Sequence, residues 1–272
     1  MSNEFLTKGV NIAKLPSDYG STGFKMFKGS TLNNVEIAYE TWGELSINKD
    51  NVILLFTGLS PSSHAASSDT NQDEGWWEYM IGPNKPIDTK KYFIVCINSL
   101  GSCFGSTSPA SLNKTTNKVY GLSFPELSIE DIAKAGHDTL LTLGIDHVHT
   151  VIGPSMGGMT ALAYALLYPK SLSNLIVISA AARALPFTIS IRSLQRELIR
   201  SDPLWNQGDY SKQSAPLNGM KLARKLGLMS YRAANEWRER FNRARIPKNE
   251  TKYLDALVRG VYAKENLKKG LV

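Results

Sequence analysis

The sequence is poor in cysteine and histidine and contains no long apolar run. Two cysteines, Cys96 and Cys103, are too few for a disulfide framework, so we expect reduced thiols and a cytoplasmic protein. No apolar run approaches the roughly 20 residues that a membrane span needs, and residues 1–16 lack the apolar core of a signal peptide. These absences argue against a membrane-spanning protein and against a disulfide-stabilised secreted domain. Four histidines occur in 272 residues, and none of them follows Ser155.

Positive charge is concentrated in the last third of the sequence. From Arg183 to Val272 there are 19 Lys and Arg against 8 Asp and Glu, whereas the preceding residues carry 12 against 16. A basic region suggests an anionic partner, either a nucleic acid or the phosphates of an acyl-CoA, and a solvated helical face is the alternative without a partner. No recognised nucleic-acid-binding module accompanies the basic region, so we expect no nucleic-acid partner.

Strand and helix patterns alternate over the first 180 residues. Short apolar and β-branched runs bounded by turn formers predict five buried strands, at 35–39, 52–56, 92–97, 148–152 and 175–179. Helical spacing predicts helices over 129–143 and 159–168. This alternation predicts a mostly parallel sheet with helices on both faces. Residues 183–241 are helical in pattern and rich in arginine, which predicts a cap or lid over the sheet.

A serine lies in a motif that is typical of a sharp strand-to-helix turn. Residues 153–158 are Gly-Pro-Ser-Met-Gly-Gly, a G-x-S-x-G sequence between a predicted strand and a predicted helix, as in the nucleophile elbow of α/β-hydrolases. Gly153 and Gly157 leave room for the turn, and we expect a strained backbone at Ser155 with its hydroxyl exposed. We predict that Ser155 is the nucleophile and that the Met156 amide faces the developing oxyanion. A plain glycine-rich turn is the alternative without a function.

No histidine is well placed by the sequence to activate this serine. A serine nucleophile needs a base, and in this fold the order along the chain is serine, acid, histidine. His137 is expected on a helix surface or boundary, and His147 and His149 at the far end of the nucleophile strand. Their His-x-His spacing lacks a third metal ligand, so we expect no metal site. His64 lies in the loop 57–64, which is expected to supply a second oxyanion donor; it is a candidate substrate contact but a poor base.

The sheet is also predicted to be incomplete. A complete sheet of this kind has two more strands after the cap, which carry the acid and the base, and residues 246–272 show no strand pattern. We therefore predict an α/β-hydrolase fold with a mostly parallel sheet and a helical cap, lacking the last strands that carry the triad acid and base. The predicted parts are a core over 1–182, a cap over 183–245 and a divergent tail over 246–272.

Nine short motifs occur in one order along the chain. They are 39–43 (Tyr-Glu-Thr-Trp-Gly), 57–61 (Thr-Gly-Leu-Ser-Pro), 75–78 (Gly-Trp-Trp-Glu), 98–103, 153–158, 184–187, 192–197, 223–227 and 231–232. Through these motifs the chain resembles the homoserine O-acetyltransferase family, the acyl-CoA-dependent branch of the α/β-hydrolase fold, and within it most of all the serine O-succinyltransferases. Family members run considerably longer, and their catalytic Asp and His have no counterpart in this sequence.

The resemblance implies a ping-pong acyl transfer. Ser155 takes an acyl group from acetyl-CoA or succinyl-CoA and passes it to the hydroxyl of L-serine or L-homoserine, with the amides of Leu59 and Met156 as the oxyanion hole. Arg224 and Tyr231 match the substrate-binding pair of the family. Seven residues apart on a helix, they share one face, and a guanidinium suits the carboxylate of an amino acid. The alternative for Arg224 is a surface charge.

Two further positions are implied to set specificity. Gly58, Leu59, Ser60 and Pro61 match the segment that selects the acceptor. Arg192 lies where acetyl-specific relatives carry a neutral residue, so a cation there is expected to hold a succinyl carboxylate, with a solvent-facing arginine as the alternative.

The expected function is an acyl-CoA-dependent O-acyltransferase of cysteine or methionine biosynthesis, in which this chain alone is an inactive or impaired fragment. A non-catalytic remnant that binds CoA or an amino acid, and an esterase that shares the elbow, are the alternatives. We expect acyl-CoA as a co-substrate, no cofactor and no metal. We also expect no membrane partner, and a homodimer through the cap is left open.

Overall fold

The computed structural model describes residues 6–16 and 23–240 of the chain. The described residues form two compact units, the first made of 6–186 and 206–211 and the second of 187–205 and 212–240. The predicted boundary between core and cap at residue 182 stays a prediction, and the predicted tail 246–272 lies outside the described residues. No helix in the described ranges combines the length and apolarity needed to cross a membrane.

The first unit is built on a six-stranded sheet. In chain order its strands are β1 (Asn11–Lys14), β2 (Glu36–Trp42), β3 (Val52–Phe56), β4 (Phe93–Ile97), β5 (Val148–Pro154) and β6 (Leu172–Ile178). The spatial order is β1-β2-β4-β3-β5-β6. The β4–β3, β3–β5 and β5–β6 pairs are parallel, whereas β1–β2 and β2–β4 are antiparallel. The predicted mostly parallel sheet is therefore confirmed, with an antiparallel edge.

The helices and short ribbons complete the two units. The α-helices are α1 (Ile129–Thr142), α2 (Met156–Leu167), α3 (Pro186–Arg200), α4 (Leu217–Ser230) and α5 (Ala234–Arg240). Short two-stranded ribbons pair Phe24–Lys25 with Thr31–Leu32, Ile81–Gly82 with Ile87–Asp88, and Leu112–Asn113 with Lys118–Val119. Short 3-10 segments lie at Gly121–Ser123 and Lys212–Ser214, and the segment Pro203–Gly208 is interrupted by a kink at Asn206 and Gln207. The helical character predicted for 183–241 is confirmed as far as residue 240, and its position over the sheet stays a prediction.

The central strand β3 separates two apolar cores. Its five residues are all buried, and they alternate between the two faces of the sheet, since Val52, Leu54 and Phe56 belong to one cluster and Ile53 and Leu55 to the other. The first cluster contains buried residues of both α1 and α2. The second is closed by the 65–87 segment, through residues such as Trp77 and Ile81. Helices on both faces were predicted, but α1 and α2 pack on the same face of the first unit.

The second unit is held together by polar contacts between its helices. The Gln195 side-chain amide donates to the Ala223 carbonyl over 2.8 Å, which joins α3 to α4. Asp202 accepts from the amides of Leu204 at 3.0 Å and Gly219 at 2.8 Å, so its carboxylate fixes the start of α4 to the end of α3. These bonds set the spacing of the residues on α3 and α4 that the sequence assigned to substrate binding.

Candidate active site

Ser155 occupies a strained turn between β5 and α2. It is the N-cap residue of α2, with φ 55° and ψ −121°, a backbone conformation that residues with a side chain rarely adopt. Its amide donates to the Ile178 carbonyl of β6 over 2.9 Å, and its side chain is exposed. The turn predicted from the sequence is therefore present, and the hydroxyl stands at the carboxyl end of a parallel strand, where ligands of open α/β sheets bind.

The glycines on either side of Ser155 are required by close backbone contacts. A Cβ at Gly153 would lie 2.0 Å from the Gly157 carbonyl oxygen, and a Cβ at Gly157 would lie 2.4 Å from the Phe56 carbonyl oxygen. Both distances are far below any real Cβ contact, so no other residue fits without moving the backbone. This close approach brings the start of α2 against the end of β3.

The loop after β3 lies beside the turn that carries Ser155. The Cβ position of Gly157 is 2.8 Å from the Thr57 carbonyl oxygen, and that of Gly58 is 3.8 Å from the Pro154 carbonyl oxygen. Leu59, the next residue, is 66% exposed. Met156 begins α2, and the first amides of a helix have no acceptor within the helix. The two predicted oxyanion donors thus come from adjacent backbone segments, and their role stays a prediction.

A buried polar network anchors the far end of this loop. The Glu40 carboxylate, on β2, is 2% exposed and accepts from the Thr7 and Ser63 hydroxyls at 3.1 and 3.0 Å. Its other oxygen lies 2.8 Å from His64 Nδ1. Asn98, at the end of β4, accepts from the Ser63 amide at 2.6 Å. The loop is therefore tied to two strands of the sheet.

His64 is committed to this network and does not reach out to a substrate. It is 8% exposed, and its Nε2 lies 2.8 Å from the Asp73 carbonyl oxygen. Burial alone would lower its pKa, but the hydrogen bond and charge of Glu40 and those of Asp73 raise it above the ordinary 6.5. The interpretation of His64 as a candidate substrate contact is wrong, because neither ring nitrogen is available. The sequence contained one signal of this buried network, namely a charged residue, Glu40, within the strand β2.

The other three histidines also have partners away from Ser155. The His137 ring stacks on Tyr168 with centroids 3.7 Å apart and hydrogen-bonds Tyr164 at 3.3 Å, and burial together with the charge of Lys134 lowers its pKa to about 4. His147 contacts the Lys170 carbonyl and the Ser173 hydroxyl, and His149 the Thr150 hydroxyl. Within the described ranges, none of the four imidazoles hydrogen-bonds Ser155, and no cluster of three metal-ligating side chains occurs.

In the second unit the structure brings together two residues that the sequence had given separate roles. Arg192 on α3 donates through Nη2 to the Tyr231 hydroxyl at 3.2 Å, and its guanidinium carbon lies 5.7 Å from the centre of the Tyr231 ring. Its Nη1 donates to the Gln195 side-chain oxygen at 2.7 Å. Arg224 is exposed on α4, and Tyr231 caps the end of that helix and is 65% exposed. Spacing within one helix predicted a partnership of Arg224 with Tyr231; it carried no signal for the contact with Arg192.

A separate cavity of about 610 Å³ lies in the first unit. Glu40 lines it together with Glu78 and Lys85, and neither Ser155 nor the loop 57–61 contributes to its wall. Burial alone would raise the pKa of Glu78, but bonds from the Ser67 and Gly75 amides, the Ser67 hydroxyl and Lys85 lower it to about 2. Glu78 is thus a fixed anion that ties together the segment beside the cavity.

Comparison with known proteins finds relatives of the same fold. A sequence profile described as alpha/beta hydrolase fold matches residues 51–271. A serine O-succinyltransferase from Litchfieldella anticariensis is 58% identical over 222 residues, which are 82% of this chain and 60% of that protein. A solved homoserine O-acetyltransferase from Bacillus anthracis gives a TM-score of 0.77 at 30% identity, covering 90% of this chain and 65% of that one. Esterase E22 gives the same TM-score and identity, covering 89% and 67%.

These relatives include the proteins that the sequence motifs resemble, so the resemblance is confirmed. The chain spans between 60% and 67% of the length of the three relatives. The matched profile begins just before β3 and therefore covers the loop 57–61, the Ser155 turn and the described helices.

Proposed function

Because the chain belongs to the α/β-hydrolase fold family, we propose that it carries the nucleophile of an acyl-CoA-dependent O-acyltransferase whose acceptor is the hydroxyl of an amino acid. The observation that carries this proposal is the strained, exposed Ser155 beside the 57–61 loop. The likeness to a serine O-succinyltransferase and to a homoserine O-acetyltransferase supports the choice of an amino-acid acceptor. The corresponding reactions belong to cysteine and methionine biosynthesis, and the two free thiols, Cys96 and Cys103, suit the cytoplasm.

The proposed reaction has two half-reactions. In the first, Ser155 Oγ attacks the thioester carbonyl, its proton passes to a base, and the amides of Met156 and Leu59 donate to the oxyanion that forms. Collapse of this intermediate breaks the C–S bond, and CoA leaves as the thiol with that proton. In the second, the amino-acid hydroxyl loses its proton to the base and attacks the acyl-serine, which frees the ester product and restores Ser155.

Recognition of the two substrates is assigned to the second unit and to the 58–61 segment. Arg192 is oriented by Gln195 and Tyr231, and two of its N–H groups serve these contacts, which leaves others for a carboxylate such as that of a succinyl group. The exposed Arg224 suits the carboxylate of the amino acid. Acyl-CoA is a co-substrate in this proposal, and no cofactor or metal is required.

The second candidate function is an esterase, and the likeness to esterase E22 favours it. Both reactions share the Ser155 turn and the oxyanion donors. They differ in the acceptor, which is an amino-acid hydroxyl in one and water in the other. The acyl-serine therefore supports either outcome, and acceptor binding decides between them.

The test measures acyl transfer and hydrolysis in parallel. The 272-residue chain, and the same chain extended with the remaining C-terminal part of the Litchfieldella relative, are incubated with succinyl-CoA or acetyl-CoA. A thiol reagent follows released CoA, and mass spectrometry identifies any O-acyl-serine or O-acyl-homoserine. Product that requires the amino acid and disappears in Ser155→Ala supports the transferase. Equal CoA release without an amino acid indicates an esterase, and CoA binding without release indicates a non-catalytic protein.

A further inference from the structure

The loop that carries Leu59 follows β3, which holds its first end. Its second end needs a separate anchor. Leu59 is exposed, whereas residues 63–66 are buried. The buried part contains the contacts of Ser63 with Glu40 and Asn98 and those of His64 with Glu40 and Asp73. The buried contacts thus lie several residues beyond the exposed part of the loop, on the same connected segment.

The proton positions on His64 follow from its two partners. A carbonyl oxygen can only accept, so Nε2 carries a hydrogen and donates to Asp73. Nδ1 lies 2.8 Å from a Glu40 oxygen and 3.3 Å from the Asn71 side-chain nitrogen, and the shorter contact identifies the carboxylate as its partner. The Glu40 carboxylate also accepts from the Thr7 and Ser63 hydroxyls. We therefore expect His64 to donate from both nitrogens, as an imidazolium paired with the Glu40 carboxylate.

We propose that His64 is a positioning residue, whose ring is fixed at both nitrogens by Glu40 and Asp73 and thereby holds the 57–64 loop so that the Leu59 amide stays beside the Ser155 turn. This rests on the proposed function in one respect, the role of Leu59 as an oxyanion donor. Oxyanion donors act by being pre-organised, and a loop anchored by a buried charged pair is pre-organised without any contact between the anchor and the substrate. His64 is therefore not the missing base.

The groups that face this pair come from each neighbouring element. Glu40 belongs to β2, and Asp73 and Asn71 belong to the segment that follows the loop. Burial raises the pKa of the Cys96 thiol on β4, and the negative charge of Glu40 raises it further. Among these neighbours, Glu40 raises the pKa of His64 most, through its hydrogen bond and its charge.

The proposal is tested on the full 272-residue chain without any need for activity. Nitrogen-15 spectra of the histidine rings report whether His64 carries two N–H groups at pH 7.5, and amide exchange at Ser63 and Ala65 reports the anchor. The variants are His64→Gln, Glu40→Gln and, as a matched control far from the loop, His147→Gln. Order parameters of the Leu59 amide report whether the exposed part of the loop is held.

The proposal expects a doubly protonated His64 ring in the natural chain. In His64→Gln, Ser63 exchange should rise at least about tenfold, the scale of one lost charge-assisted bond, with lower order at Leu59 and unchanged exchange within β3. His147→Gln should change none of these. A ring with one N–H, or Ser63 exchange that stays within twofold or rises in step with β3, would overturn it.

Glu40→Gln keeps the proposal testable if His64→Gln does not fold. Its amide preserves the shape and the hydrogen bonds but removes the charge, so the His64 ring should carry a single N–H at pH 7.5. A ring that stays doubly protonated would refute the pairing. Absence of acyl transfer in the C-terminally extended chain would count against the proposed function and would leave the spectroscopic result on the anchor intact.

Discussion

The 272-residue chain, assayed alone, is expected to transfer acyl groups very slowly because none of its four histidines can serve Ser155. His147 immediately precedes the strand β5, His149 lies near its start and Ser155 follows its end, so at roughly 3.3 Å per residue the separations from Ser155 are about 26 and 20 Å. His137 stacks on Tyr168 and meets Tyr164 edge to face, and His64 is bonded at both nitrogens. Proton transfer needs hydrogen-bond contact, either direct or through one water molecule.

The size of the effect follows from what remains in place. Loss of the histidine of a triad costs about 10⁶ in turnover, which is about 8 kcal/mol of activation free energy at roughly 1.4 kcal/mol per factor of ten. The Ser155 turn is present and the proposed oxyanion donors come from segments beside it, so a residual rate of the order of 10³ to 10⁴ above the reaction in water is expected. This residual should itself fall in Gly58→Pro, which would distort the donor loop.

The assay follows CoA release with a thiol reagent, with succinyl-CoA or acetyl-CoA and either amino acid. The extended chain described above should gain at least about 10⁴ over the 272-residue chain if the added part carries the catalytic histidine that the family resemblance implies. β6 is an edge strand among the described residues, with Ile176 44% exposed, so monodisperse protein should be isolated by gel filtration first. Rapid turnover by the 272-residue chain that is abolished in Ser155→Ala would refute the reasoning. It would mean that another group in this chain acts as the base for Ser155.

Three other substitutions test separate parts of the structure. Gly157→Ala should lower the free energy of unfolding, measured by urea titration, by about 1–3 kcal/mol, because its Cβ would lie 2.4 Å from a strand carbonyl oxygen. Gly58→Ala is the control and should be tolerated, because no atom lies closer than 3.7 Å to its Cβ position. Arg192→Ala in an active extended chain should reduce the ratio of kcat/KM for succinyl-CoA over acetyl-CoA by a factor that corresponds to about 1–3 kcal/mol. Arg196→Ala, at an exposed position, is the control and should leave the ratio unchanged. An unchanged ratio in Arg192→Ala would remove Arg192 from acyl selection. The pKa of Glu78 is lowered, so its contribution to the free energy of unfolding should be present above pH 4.5 and lost as the pH falls towards 2. Glu78→Gln should reduce the acid dependence of the free energy of unfolding measured by urea titrations, and an unaltered slope would contradict this.

The elements around Ser155 could be predicted because their local signals agree with the fold. The five apolar residues of β3 are bounded as predicted, since an unbroken apolar run suits a strand buried on both faces. α2 begins at Met156, three residues before the predicted start, because the turn is completed within Ser155 itself. β1 was not predicted: Asn11–Lys14 contains only two apolar residues, and only Ala13 is buried.

The network behind the loop could not be predicted, because it depends on distances that the sequence does not contain. Glu40 and His64 are 24 residues apart, and Asn98 lies 35 residues beyond Ser63. Each residue alone fits a surface position, and burial only becomes tolerable once all the polar groups are paired. A pattern of propensities describes single elements, whereas this network depends on the register of β2 against β4.

The contact between Arg192 and Tyr231 has a consequence for a ping-pong reaction. In such a reaction the succinyl group stays on Ser155 while the amino acid binds, so the succinyl carboxylate and the amino-acid carboxylate are present together and each needs its own cation. Arg192 is half-buried and held by Gln195 and Tyr231, which reduces the conformational entropy lost when an anion binds. Arg224 is exposed and has more freedom. We therefore expect selection among acyl groups to depend on the fixed guanidinium, since an oriented charge discriminates between a succinyl carboxylate and an acetyl methyl group more sharply than a mobile one.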